Sequence, residues 1–279
     1  MSDEQYRSLP VTPKPPSMPV RIKKASESRQ DEPKKAAAPS GKKSTDTGSH
    51  ADIVRGSSNI PLSPYGLQQA LDIAKKTKGD FTRVIASPLL RAQQTAKAIM
   101  ETNPDDLPWL ETHEALCPWF LGDMEGQPTL DVLDKMQDLI INHPDKTNPG
   151  RGPESVHDGC SFNEFKERFL RFLMYLIDSY DEEEKILCVT HFRDIRLSQS
   201  WIAAGAMGNM DIDVNVMTAK PTNDAPGDMF MFNPKTRMMK KVERGKEKGI
   251  YFLRHGSTAF NQENKGAPSL NTVEPDEKK

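Results

Sequence analysis

Cysteine is scarce in this chain. Cys117, Cys160 and Cys188 are the three in 279 residues, widely spaced and without a C-x-x-C pair. That excludes a disulfide scaffold and reads as reduced thiols. A dominant charge sign is missing as well: the formal net charge is -2 and the pI is near 6.3. A chain so balanced has no global footprint for nucleic acid or an anionic membrane. It also lacks an apolar run of about 18 residues, the length a membrane-spanning helix needs. Met1 is followed by polar and charged residues, with no secretory h-region. The expectation is a cytoplasmic protein with no membrane and no nucleic-acid partner. Hydrophobic residues reach only 35%, against 22 prolines, which places part of the chain outside any packed core.

Residues 1–50 are that part. Pro10, Pro13, Pro15, Pro16 and Pro19 precede Lys/Ser/Ala-rich sequence with little apolar area to offset the entropy of ordering. We expect a disordered tail over 1–50, one domain over 51–262 and a polar tail over 263–279. Within the domain, Ser63-Pro64 reads as N-cap and first position of a helix, with Leu67, Ala70, Leu71 and Ala74 as its apolar face. Arg83–Ala86 reads as a buried strand, and Ser87-Pro88 opens a second helix carrying Leu89, Ala92, Ala96 and Ile99. Helices are expected at 129–142, 161–180 and 194–204. A buried strand is expected at Ile186–Thr190, and a hairpin from Asp228–Phe232 and Met238–Val242. The apolar run Ile250–Leu253 supplies another strand. Strands alternating with helices point to an α/β fold with a mostly parallel central sheet, a three-layer α/β/α sandwich.

The chemistry gathers where strands stop. Arg254-His255-Gly256 follows Ile250–Leu253, His191 follows Ile186–Thr190, and Arg91 lies one turn into the second helix. Ligands of open α/β sheets bind at the carboxyl ends of strands. An imidazole beside guanidinium groups suits a phosphoryl group: one attacks phosphorus and the others neutralise its oxygens.

These segments resemble the histidine phosphatase superfamily, also called phosphoglycerate mutase-like. Leu253-Arg254-His255-Gly256-Ser257-Thr258-Ala259-Phe260-Asn261 is similar to its signature. The segments Arg55–Ala70 and Ala86–Ala96, and Leu187-Cys188-Val189-Thr190-His191, are similar to three further motifs of that family. The order departs from it, because the signature strand comes last. Moving that strand ahead of Ile53 restores the usual order, so the chain reads as a circular permutation with the catalytic strand at the C-terminus. Permutation is tolerated where the cut falls in an exposed loop.

The resemblance implies that His255 attacks the phosphoryl group, forming a phosphohistidine. Arg254, Arg91 and protonated His191 would surround the phosphoryl oxygens, and Asn261, Arg55 and Ser257 would contact phosphate or substrate. It implies a small phosphorylated substrate, no metal and no cofactor. The family's acid is usually a Glu four residues before a Gly. Aligning on Gly122 puts Pro118 there, which leaves Glu114 as candidate acid, with Asp123 and Glu125 read as solvated. A phosphomonoester or phosphoanhydride phosphatase is the leading expectation. A non-catalytic phosphoryl-binding module tethered to a larger assembly by its tails is the alternative, and a phosphoglycerate-type mutase ranks below it. The final strand also suits insertion into a second copy, giving a domain-swapped homodimer. Substrate selection would fall to the loops at 104–128 and 144–160, where Ser155, His157 and Asp158 are candidates for the mouth.

Overall fold

The computed structural model describes residues 53–102, 110–148, 159–205, 208–219 and 225–258. Both expected tails, Asn261 and the trio Ser155, His157 and Asp158 lie outside the described residues. Six helices and six strands are described: α1 Pro64–Lys76, β1 Arg83–Ala86, α2 Leu90–Glu101, β2 Leu110–Thr112, α3 Thr129–Ile141, α4 Phe162–Asp178, β3 Lys185–Thr190, α5 Phe192–Ala203, α6 Val214–Thr218, β4 Met229–Asn233, β5 Met238–Val242 and β6 Gly249–Arg254.

The strands form one sheet in the order β2-β1-β3-β6-β4-β5. Pairing is parallel from β2 through β6, and β4 runs antiparallel to both β6 and β5. β6 lies inside the sheet, paired in register with β3 from Lys185↔Gly249 to Thr190↔Arg254. Strand alternation sends side chains to two faces. Val84, Ala86, Leu187, Val189, Tyr251 and Leu253 pack with Ala74, Ala92, Ala96 and Ile99 of α1 and α2. Ile85, Ile186, Cys188, Ile250 and Phe252 pack on the opposite face against α3, α4, α5 and α6. The result is a mixed, mostly parallel sheet between two helical layers.

Local chemistry explains the element ends. Ser63 Oγ accepts from Gly66 N, with Pro64 at the first helical position, which sets the start of α1. Ser161 and Glu164 form a reciprocal capping box that starts α4. Leu67 and Leu71 differ from expectation: they are 41% and 40% exposed, while Gly66, Ala70 and Ala74 face the core. The close approach of α1 to α2 and to the loop after β6 leaves room there only for small residues. α2 starts at Leu90 rather than at Pro88, because Leu90 N donates to Asn59 Oδ1 from a distant loop. α5 starts two residues early, with His191 as its N-cap. The short strand β2 and short helix α6 carry too few apolar residues to register as periodic segments.

Candidate active site

Three strand ends build the site. Ser87 N donates to Val189 O, and His255 N donates to Thr190 O, which fixes the chain after β1, β3 and β6 side by side at the carboxyl edge. His191 and His255 are thereby brought together, their ring centroids 5.0 Å apart in an edge-on arrangement. His255 Nδ1 donates to Gly256 O at 2.7 Å, leaving Nε2 as the acceptor of Arg91 Nε at 3.1 Å. That is the tautomer a nucleophilic Nε2 requires. Burial, followed by Arg91, Arg55 and Arg254, holds the His255 pKa well below the usual histidine range. Its lone pair is therefore available at neutral pH.

His191 Nε2 shares a hydrogen bond of 2.8 Å with Ser87 Oγ. Its pKa is also depressed, by burial first and then by Arg91, His255, Arg55 and Arg254. An imidazolium was expected here; burial among so many cations favours the neutral ring instead. A bound phosphoryl dianion would supply the opposite field.

Arg91, 2% exposed, donates from Nη1 to Ser58 O and from Nη2 to Gly56 O, at 2.6 and 3.1 Å. Burial, then Arg55, lowers its pKa to about 9. Arg55 donates to Thr258 Oγ1 at 3.0 Å. Arg254 is 8% exposed and lies over the Phe192 ring. Ser257 is held through its main chain: its carbonyl accepts from Ser63 N and Oγ, and its N–H donates to Gln69 Oε1. Gly256 N donates to Thr95 Oγ1. The start of α1 and the middle of α2 thus clamp the loop after β6.

Glu114 stands apart. It is the exposed first residue of a 3₁₀ turn, Glu114–Leu116, whose other two residues are buried, and its Oε2 accepts from Cys117 Sγ at 3.4 Å. Cys117 Sγ lies 3.9 Å from Ser87 Oγ, so Glu114 reaches His191 only through two intervening side chains. Burial, then Glu114, pushes the Cys117 thiol up to about 12.

Sequence reasoning missed several residues. Glu125 was read as solvated but is 4% exposed, and it accepts from Ser57 N, Ser57 Oγ and Leu121 N. Gly56 lies against it at φ +44°, where a Cβ would come within 1.9 Å of Glu125 Oε1. The Gly-Ser pair at 56–57 was the available signal, since a carboxylate seeking N–H donors fits such a turn. Ser87 and Thr258 support His191 and Arg55; both lie within motif segments, but neither was singled out for a role. Asp194 is fully buried on the first turn of α5, and burial raises its carboxyl well above the usual carboxylate range.

A mostly parallel sheet with two facing histidines and three arginines at its carboxyl edge defines an α/β protein with a cationic, histidine-bearing site. The chain belongs to the histidine phosphatase superfamily (branch 1), whose profile matches residues 44–214. No curated protein sequence matches it. Similar solved structures include a phosphoserine phosphatase from Entamoeba histolytica, at 21% identity over 68% of this chain and 87% of that one, with a TM-score of 0.49. An alpha-ribazole phosphatase from Shigella flexneri is similar at 23% identity, covering 54% and 71%, with a TM-score of 0.41. A mycobacterial glucosyl-3-phosphoglycerate phosphatase is similar at 16% identity, covering 70% and 91%, with a TM-score of 0.46. Among the described residues no helix is long and apolar enough to cross a membrane.

Proposed function

We propose that the protein is a metal-independent phosphatase acting through a phosphohistidine on His255. The observation that carries this reading is the His255 ring itself: Nδ1 tied to Gly256 O, Nε2 unprotonated, and Arg91 Nε at 3.1 Å. In the first step the Nε2 lone pair forms an N–P bond as the P–O bond to the leaving group breaks. The leaving oxygen departs with the bonding pair. Water then attacks phosphorus, the N–P bond breaks, and phosphate leaves with the imidazole neutral again. Arg55, Arg91 and Arg254 are placed to stabilise charge on the phosphoryl oxygens, and Ser87 holds His191 against the same group. Asn261 completes the proposed substrate contacts.

Pro118 occupies the place of the family's usual acid, and Glu114 is exposed. That favours leaving groups needing little protonation, such as a phosphoanhydride or an aryl phosphate, with Glu114 as proton donor to more basic ones. The circular permutation belongs to this reading too. Leu62 bridges Thr258, and Arg55 bonds the Thr258 hydroxyl, so the loop after β6 runs beside the segment that would follow it in the unpermuted order. The family match over 44–214 omits β6, which agrees with the displaced order.

The test is turnover of phenyl phosphate without added metal, with rapid acid-free quenching and mass-spectrometric detection of phosphohistidine. We expect phosphate release by the wild type, a phosphoryl group on His255, and loss of both in His255→Ala. Absence of turnover and of phosphohistidine across esters and anhydrides would leave the phosphoryl-binding module as the reading.

A further inference from the structure

Four side chains form a hydrogen-bonded row from the surface to the paired histidines: Glu114, Cys117, Ser87 and His191. Glu114 is exposed, and its Oε2 accepts from the Cys117 thiol at 3.4 Å. Cys117 and Ser87 are buried, with Ser87 Oγ 3.9 Å from Cys117 Sγ, a contact that the larger radius of sulfur allows. Ser87 Oγ in turn lies 2.8 Å from Nε2 of the buried His191. Neighbouring groups hold the row in place. Thr190 Oγ1 donates to Leu116 O at 3.1 Å, and Arg168 Nη2 donates to the carbonyls of Cys117 and Pro118 at 2.9 and 3.0 Å.

Donor accounting gives the row a direction. Ser87 has one hydroxyl proton and two lone pairs, one of which already accepts from Leu89 N. With that proton directed to Cys117 Sγ and the thiol proton to Glu114 Oε2, the remaining lone pair of Ser87 fits Nε2–H of His191. His191 Nδ1 then keeps its own lone pair. It is buried with no hydrogen-bond partner, on a ring whose centroid is 5.0 Å from that of His255. A buried ring nitrogen left unpaired is costly, and a group brought by the substrate would satisfy it. Burial, then Glu114, pushes the Cys117 thiol up to about 12, so it stays protonated and passes a proton only by taking another. The groups facing His191 are Arg91 from α2, His255 and Arg254 from the end of β6, and Arg55 from the segment before α1. All favour a ring that gives its proton away. Arg168 faces Cys117, and Asp194 on α5 is held protonated by burial.

We propose that Glu114, Cys117 and Ser87 are positioning residues of a proton relay that makes His191 Nδ1 the acid for the leaving group. The inference rests on the phosphatase reading of the His255 site. In the first step Nδ1–H gives its proton to the leaving oxygen as the P–O bond breaks. The Ser87 hydroxyl proton moves to Nε2, the Cys117 thiol proton to Ser87 Oγ, and the Glu114 carboxyl proton to Cys117 Sγ. The row is left with Glu114 ionised, Cys117 and Ser87 protonated, and His191 neutral with Nδ1 bare, which is the state its hydrogen bonds describe. In the second step the attacking water gives its proton to Nδ1 and every transfer reverses, so Glu114 carries the proton again. One relay is thus acid and then base, and it stands in for the carboxyl that Pro118 does not supply.

Single-turnover phosphoryl transfer to His255 from dinitrophenyl, nitrophenyl and phenyl phosphate tests this, because the leaving groups rise in basicity in that order. Cys117→Ala and Glu114→Gln should each lose on the order of a hundredfold more rate on phenyl than on dinitrophenyl phosphate, the lower end of what general acid catalysis contributes. Cys117→Ser keeps a donor and an acceptor and should recover most of that difference. Glu114→Gln combined with Cys117→Ala should lose no more than either change alone, because both break one relay. Thermal melts confirm that the variants fold. Equal loss on all three substrates marks a structural role and overturns the inference, as does a Cys117→Ala rate like that of the wild type. The wild type supplies a test that needs no variant. Its rate on phenyl phosphate in H₂O–D₂O mixtures should bow below a straight line, since several protons move together, and a straight line overturns the relay. If no aryl phosphate phosphorylates wild-type His255, the phosphatase reading itself fails, and this inference with it.

Discussion

Replacing Glu125 by Ala should loosen the active site from behind. The carboxylate accepts three hydrogen bonds, from Ser57 N at 2.9 Å, Ser57 Oγ at 2.8 Å and Leu121 N at 3.0 Å. Bonds to a charged acceptor are worth about 1.5–3 kcal/mol each, and bonds sharing one acceptor are not additive. Allowing for relaxation of the Gly56 turn, we expect a loss of about 3–5 kcal/mol. In a domain of this size each kcal/mol lowers Tm by about 2–4 °C, so the melt should fall by roughly 6–20 °C. The same turn carries the carbonyls of Gly56 and Ser58 that hold Arg91. Activity should therefore drop beyond the loss of folded protein, by about tenfold or more in kcat/KM, the scale of one misplaced charge-assisted contact. Glu125→Gln should be almost as damaging, because its amide NH₂ would face N–H donors. Thermal melts followed by circular dichroism, with kcat/KM for phenyl phosphate on the folded fraction, measure both effects. A melt within about 2 °C of wild type would show that Glu125 is not the anchor of this turn.

Two further outcomes are expected. His191 and His255 both have depressed pKa values in the fold, so their contribution to stability is present above the unfolded value of about 6.5 and is lost as pH falls from there towards the folded values. Asp194, with its raised pKa, acts in the opposite sense, costing stability as pH rises above the unfolded carboxyl range. Urea midpoints taken across the acid side of neutrality should fall more steeply for wild type than for a His191→Asn/His255→Asn double variant; parallel curves would refute the assignment. Gly66→Ala should displace the catalytic loop, since its Cβ would lie 1.9 Å from Ser257 O, a backbone atom. We expect a net cost of about 1–3 kcal/mol despite the gain in helix propensity, and a disproportionate fall in kcat; wild-type melting and turnover would contradict this clamp.

The sequence made the fold legible where apolar periodicity was strong. α4, with Phe162, Phe165, Phe169, Phe172, Leu173 and Leu176 buried, was readable within two residues at each end, and so was the β4–β5 hairpin. α1 was legible as a helix but not in its facing, because two alanines and a glycine packed inward while the leucines stayed out. At the site, His255, His191, Arg91 and Arg254 drew notice because each stands at or near a strand or helix end, whereas Arg55 came only from the family resemblance. The residues that hold them were not. Ser87, Thr95, Thr258 and Glu125 act across separations of up to 203 positions, as in the Arg55–Thr258 bond, and no local pattern encodes such pairings. Glu125 looked solvated because charge in sequence says nothing about the donors waiting for it in space.

The place of β6 in the chain also governs the order in which the molecule can be built during synthesis. β3 and β4 leave the ribosome before it, and in the finished sheet β6 lies between them. Until it emerges, each offers the nascent chain an open hydrogen-bonding edge, the kind of surface that pairs with the wrong strand. The same segment brings His255. Closure of the sheet and arrival of the proposed nucleophile are therefore a single event, and any nascent chain lacking β6 carries Arg55, Arg91 and His191 without Arg254 or His255.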